Sequence, residues 1–134
     1  FGVANIVREG TDLTIVSCGL MLHRSVEAAE LLAKEGISCE VIDLRTIVPL
    51  DVETIVASVA KTGRLLVVHE APARGGYGGD ILSTVIEKAF YALESPVRRV
   101  AGKNTTVPFN INLEKLCIPS VDEIVAGALS VVNG

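Results

Sequence analysis

The sequence predicts an α/β domain of three layers, doubly wound around a roughly five-stranded, mostly parallel sheet with one antiparallel edge strand. Three observations carry that prediction. Largely apolar runs at Leu13 to Cys18, Val41 to Leu44 and Leu65 to Val68 read as strands buried on both faces. Segments whose apolar residues recur with helical period separate them. The connection Glu9-Gly10-Thr11-Asp12, between the first two strands, is too short for a helical crossover and implies an antiparallel pair.

The elements follow in order. Ala4 to Arg8 reads as the edge strand, and Leu13 to Cys18 as a stronger strand ending at Gly19. Between Met21 and Glu35, Leu22, Val26, Ala29 and Ala33 form an apolar stripe on a helix that Gly36 ends. Glu30 and Lys34 stand in the favourable i, i+4 order on its outer face, worth about 0.3 to 0.5 kcal/mol. Ser38 to Leu44 returns as a strand, then Asp51 caps a helix to about Lys61 with Ile55, Val56 and Val59 buried and Gly63 as its stop. Arg64 to Val68 is the next strand. After a glycine-rich loop, Ile81, Leu82, Val85, Ile86, Ala89 and Phe90 mark a helix with an apolar face wide enough for more than one neighbour. Val97 to Ala101 is the last strand, and Gly102 to Pro119 is largely irregular. Ser120 and Glu123 make a capping box for a final helix whose face is Val125, Ala128, Leu129 and Val132.

Composition sets the limits of function. A chain of 134 residues, 49% apolar and 21% charged, is one domain with a substantial core. A formal charge of -4 at pH 7 and the lack of a Lys/Arg run argue against nucleic acid, whose phosphates require a basic stripe. No apolar run reaches the roughly 18 residues that cross a bilayer, so no membrane span is expected. Cys18, Cys39 and Cys117 are widely spaced and in apolar surroundings, which suits free thiols in a reducing compartment. The chain begins Phe1-Gly2-Val3 without an initiator Met, as expected of a piece of a longer protein.

Candidate sites fall where strands end. His69-Glu70 places an imidazole and a carboxylate at such an end, where they could exchange protons near neutral pH, although packing and hydrogen-bonding roles are the preferred reading. Arg74-Gly75-Gly76-Tyr77-Gly78-Gly79-Asp80 opens a helix but lacks the Lys-Ser/Thr of a phosphate loop, and close packing against a neighbouring subunit is preferred. Asp43-Leu44-Arg45 is read as fixing its own turn by charge-assisted hydrogen bonds. Arg98 and Arg99 alternate across a strand, so one should point inward and seek Glu70 or Asp43. The two histidines and three cysteines show no metal-ligand spacing.

Asp43-Leu44-Arg45-Thr46, Pro49-Leu50-Asp51, Lys61-Thr62-Gly63-Arg64, Glu70 and Gly75-Gly76-Tyr77-Gly78 resemble the pattern of the C-terminal domain of transketolase-like, thiamine-diphosphate-dependent enzymes. Deoxyxylulose phosphate synthase shares that pattern. The stretch Glu94-Ser95-Pro96-Val97-Arg98-Arg99-Val100, with Gly102, Thr105, Pro108-Phe109 and Ile118-Pro119, resembles more specifically the beta subunits of 2-oxo acid dehydrogenase decarboxylating components. His69-Glu70-Ala71-Pro72 leans toward the branched-chain members.

The resemblance covers essentially the whole chain and implies a parent that decarboxylates a 2-oxo acid on thiamine diphosphate with magnesium, then passes the acyl group to a lipoyl arm. It implies a missing N-terminal domain, and an alpha subunit and a second beta subunit as partners in a heterotetramer. The subunit-binding domain of the dihydrolipoyl acyltransferase is a further implied partner. The Gly-Asp-Gly signature that holds diphosphate and magnesium does not occur in this sequence, so the chain is expected to bind neither and to catalyse nothing alone. Arg74, Tyr77 and Glu94 are expected at partner interfaces, and Asp43, Arg45, His69, Glu70 and Arg99 in a structural polar network. Bacterial cytoplasm and mitochondrial matrix both fit. The alternatives are the same domain from a pyruvate or acetoin dehydrogenase or deoxyxylulose phosphate synthase, or a free-standing anion-binding module.

Overall fold

A computed structural model describes residues 3–45, 50–72, 78–102 and 119–133. The chain forms β1 (Asn5–Arg8), β2 (Leu13–Ser17), α1 (Leu20–Ala33), β3 (Cys39–Asp43), α2 (Val52–Thr62), β4 (Leu65–Pro72), α3 (Gly78–Ala89), a single 3-10 turn (Phe90–Ala92), β5 (Arg98–Gly102) and α4 (Val121–Asn133). The five strands make one sheet in the order β1-β3-β2-β4-β5, antiparallel at β1 and parallel elsewhere.

Strand period divides the core into two layers. Leu13, Ile15, Cys39, Val41, Leu66 and Val68 face α1 and α4, where Met21, Leu32, Ile124 and Val131 meet them. Their neighbours Val16, Ile42, Leu65 and Val67 face the opposite way, toward Ile55, Val59, Ile81 and Val85 of α2 and α3. Sequestering each of these aliphatic side chains contributes roughly 1.5 to 3 kcal/mol.

The edge strand differs from expectation. β1 is antiparallel, but its partner is β3 and not the adjacent β2, with Asn5 opposite Asp43 and Ile6 opposite Ile42. The short connection steps over the start of β3 instead of closing a hairpin. Asp12 N–H donates to the Ser38 carbonyl at 2.8 Å and Ser38 N–H donates to the Asp12 carboxylate at 2.8 Å. Gly10 passes so close that a Cβ there would stand 2.2 Å from the Cys39 carbonyl carbon.

Two helical faces are rotated from the expected ones. On α1 the buried row is Met21, Ser25, Ala28, Ala29 and Leu32, with Leu22 and Val26 only partly covered and Ala33 exposed. Ser25 within that row masks it in the sequence. On α4 the buried row is Ile124, Ala128 and Val131. β4 also runs past Val68 through Pro72, because its pairing with β5 resumes at Pro72 opposite Gly102 after an irregularity. His69 and Glu70 therefore lie inside a strand and not beyond its end.

Candidate functional site

The wide apolar face of α3 is only half used by the core. Ile81, Val85 and Ala89 are buried, while one turn along the other flank Ile86 is 44% exposed, Phe90 59% and Tyr91 99%. The helix tightens to a 3-10 turn at Phe90, and the two rings meet edge to face with centroids 5.4 Å apart. Leu93, Ser95, Pro96 and Val97 complete an open groove of about 520 Å³ beside them. Clustered exposed aromatic and aliphatic side chains of this kind mark an interaction surface.

Glu94 stands at the rim of this groove, exposed, with its carboxylate 3.6 Å from the Arg64 guanidinium. The strand starts Leu65 and Arg98 lie near it, so the groove is at the amino end of the parallel sheet, opposite the carboxyl ends where such folds usually bind small ligands. A second open groove, of about 460 Å³, adjoins it and is lined by Leu82, Ser83, Ile86, Val97, Arg98 and Arg99.

At the carboxyl end, Asp43 accepts a 3.0 Å hydrogen bond from Arg45 N–H and pairs with the Arg45 side chain at 3.9 Å. That bond supports Arg45 in the left-handed region at φ 60°. His69 is buried, and its ring lies so near α3 that a Cβ on Gly78 would stand 2.6 Å from Nε2. Glu70 is exposed. Arg98 and Arg99 are both exposed, and among the described residues neither pairs with Glu70 or Asp43. The expected inward arginine fails because β5 is the last strand of the sheet and its first residues reach solvent on both faces. Among the described residues, the contacts seen in this expected network join Asp43 to Arg45. Arg74 and Tyr77 lie outside the described residues, as does Cys117.

A buried polar cluster absent from the expectations sits between β3 and α2. Glu40, 1% exposed, accepts from Lys61 Nζ, from the Ser58 hydroxyl and from Gly10 N–H. Thr14 Oγ1 continues the chain to Ser58 at 2.7 Å and to Thr62 at 2.8 Å. Burial pushes the Glu40 pKa up, but the bonds from Lys61, Ser58 and Gly10 outweigh it and hold the carboxyl below its ordinary range. The sequence signal was Glu40 between Cys39 and Val41 in a buried strand, matched by Ser58 and Thr62 one turn apart on the apolar face of α2. Next to it, burial pushes the Cys39 thiol up to about 11, so it is no thiolate nucleophile at neutral pH.

The transketolase C-terminal domain family model matches residues 2–124. The chain belongs to that family. Among curated relatives, this transketolase C-terminal domain is 50% identical over 134 residues to the beta subunit of acetoin:2,6-dichlorophenolindophenol oxidoreductase from Cupriavidus necator, covering all of this chain and 40% of the relative. It is 44% identical over 132 residues to the pyruvate dehydrogenase E1 component subunit beta of Bacillus subtilis, covering 98% of this chain and 40% of that one. The chain thus spans about two fifths of the length of these relatives. A split gene transketolase solved as an inactive beta4 tetramer superposes with TM-score 0.85 at 28% identity over 98% of this chain and 42% of that one. The fold expectation of an α/β, mostly parallel five-stranded sheet with one antiparallel strand agrees with that likeness. The branched-chain leaning drawn from His69-Glu70-Ala71-Pro72 finds no support in these relatives, whose names are of acetoin and pyruvate enzymes. That tetrapeptide lies within β4, with His69 buried.

Among the described residues no helix is long and apolar enough to cross a membrane, and no group of three or more His, Cys, Asp or Glu is placed to hold a metal ion.

Proposed function

We propose that this transketolase C-terminal domain serves the beta subunit of a thiamine-diphosphate-dependent dehydrogenase of the pyruvate or acetoin type. Its work there is assembly and docking, with thiamine diphosphate and magnesium held elsewhere in the parent enzyme. The observation that carries this reading is the half-exposed α3 flank, with Tyr91 at 99% exposure beside Phe90 and Ile86, since a core helix with a second apolar face needs a second neighbour. Identity along all or nearly all of this chain to part of the beta subunits of acetoin and pyruvate enzymes supports it.

Partners in this reading are an alpha subunit, a second beta subunit and the subunit-binding domain of a dihydrolipoyl acyltransferase. Glu94, exposed at the groove rim, is the residue proposed to meet the acyltransferase, and Arg74 and Tyr77 remain proposed subunit contacts. The test is to reconstitute the parent chain with its alpha subunit, thiamine diphosphate and magnesium. Turnover is then compared on acetoin, pyruvate and branched-chain 2-oxo acids. Preference for acetoin or pyruvate is expected; preference for the branched acids would restore the branched-chain assignment, and inactivity on all would overturn the enzyme reading.

A further inference from the structure

We propose that Arg64 is a positioning residue of the docking surface, holding the Glu94 carboxylate in a single pose for a basic group on the partner. The proposal rests on the docking reading of Glu94 given above. It starts from three contacts that fix Glu94 although its side chain is 64% exposed.

The Glu94 N–H donates to the Gly63 carbonyl at 2.7 Å. Its stem lies across Gly63, where a Cβ would stand 2.8 Å from the Glu94 Cγ and Cδ. Gly63 is the left-handed cap of α2 at φ 75°, so the surface beneath the stem is rigid backbone with room for a hydrogen only. The head is met by Arg64, whose Nη1 stands 3.6 Å from Glu94 Oε2.

Arg64 is itself anchored. The same Nη1 donates to the Asp12 carbonyl at 3.2 Å, and its side chain is only 26% exposed against 64% for Glu94. The guanidinium is therefore a fixed, largely covered charge under a mobile type of side chain. An ion pair this open adds little to stability. Its effect is instead preorganisation, because a carboxylate already oriented loses less freedom when a partner cation arrives. At 3.6 Å Arg64 orients the carboxylate without saturating it, which leaves acceptor capacity for an incoming Lys or Arg.

Leu93 and Ser95, on either side of Glu94 in the chain, line the apolar groove together with Phe90 and Tyr91. The combination fits a partner surface that presents a basic side chain flanked by apolar ones. The contribution of Arg64 is then specific to Glu94 and vanishes when Glu94 carries no charge.

The experiment is calorimetric titration of the subunit-binding domain of the acyltransferase into the alpha-beta enzyme, with Arg64→Met, Arg64→Lys, Glu94→Gln and the double variant Arg64→Met/Glu94→Gln. Glu94→Gln should weaken binding at least about tenfold and Arg64→Met about three- to tenfold, with no further loss from Arg64→Met once Glu94 is Gln. Arg64→Lys, which keeps the charge, should recover most of the affinity. If Glu94→Gln binds as tightly as the wild type, the docking reading falls and takes this inference with it. If Glu94→Gln weakens binding while Arg64→Met does not, or does so equally in both backgrounds, docking stands and positioning by Arg64 is overturned.

Discussion

Single residues at close approaches carry much of the architecture. Gly10 has backbone atoms of Cys39 and Glu40 within 2.5 Å of where its Cβ would be, and backbone cannot rotate aside as a side chain can. Gly10→Ala should therefore destabilise the domain by about 1 to 3 kcal/mol, in the range of overpacked sites, with early loss of β1 protection in hydrogen exchange. An unaltered urea midpoint would mean that the connection does not press on β3 as described. At this scale the sequence was partly legible. Gly63 as a helix stop and Asp51 as a cap were readable from local rules, since both act on neighbours a few residues away. The need for glycine at 10 was not, because Cys39 is distant in the chain, and at 78 the close neighbour is His69 of this chain where a neighbouring subunit was expected.

Between elements, Asp51 and Glu40 fasten the edge of the sheet. Asp51 caps α2 through Thr54 N–H at 3.2 Å and Thr54 Oγ1 at 2.6 Å, and also accepts from Ala4 N–H at 2.9 Å. The Thr54 hydroxyl, then the Ala4 amide, hold its carboxyl below the ordinary range. Asp51→Ala should cost about 1 to 2 kcal/mol, since it loses a helix cap and the tie to β1 together; a Tm equal to the wild type would refute the double role.

Glu40 makes the corresponding prediction for pH. Its folded pKa lies below its ordinary value of 4.5, so its stabilisation is complete above that pH and is lost as pH falls through the folded value. Asp51 shares the sign. In Glu40→Gln the fall in urea midpoint on acidification below about pH 4.5 should be shallower than in the wild type. Lys61→Met should destabilise at neutral pH by about 1 to 3 kcal/mol, less than a fully buried broken pair because solvent reaches Lys61. Equal acid limbs in wild type and Glu40→Gln would show that other carboxylates set the acid response. Among the described residues the strands and α-helices were legible, yet the Glu40 cluster was not, since Gly10, Ser58 and Lys61 meet Glu40 only once β1 has crossed β3 and α2 has packed on the sheet.

For the whole molecule, the unpartnered face decides behaviour. Phe90→Ser with Tyr91→Ser should leave the fold intact, because both side chains are exposed, while lowering the fraction of assembled alpha-beta complex in sedimentation velocity. Unchanged assembly would assign the face to another partner, and loss of folding would show that it belongs to the core. Taken by itself, the sequence determined the fold class, the order and type of the elements and the family, because those depend on local propensity, apolar period and short motifs. The partner of β1, the exposure of both Arg98 and Arg99, the buried Glu40 cluster and the open flank of α3 were decided only by tertiary structure. Each depends on which distant segments pack together at a shared surface, and period and propensity along the chain carry no record of that.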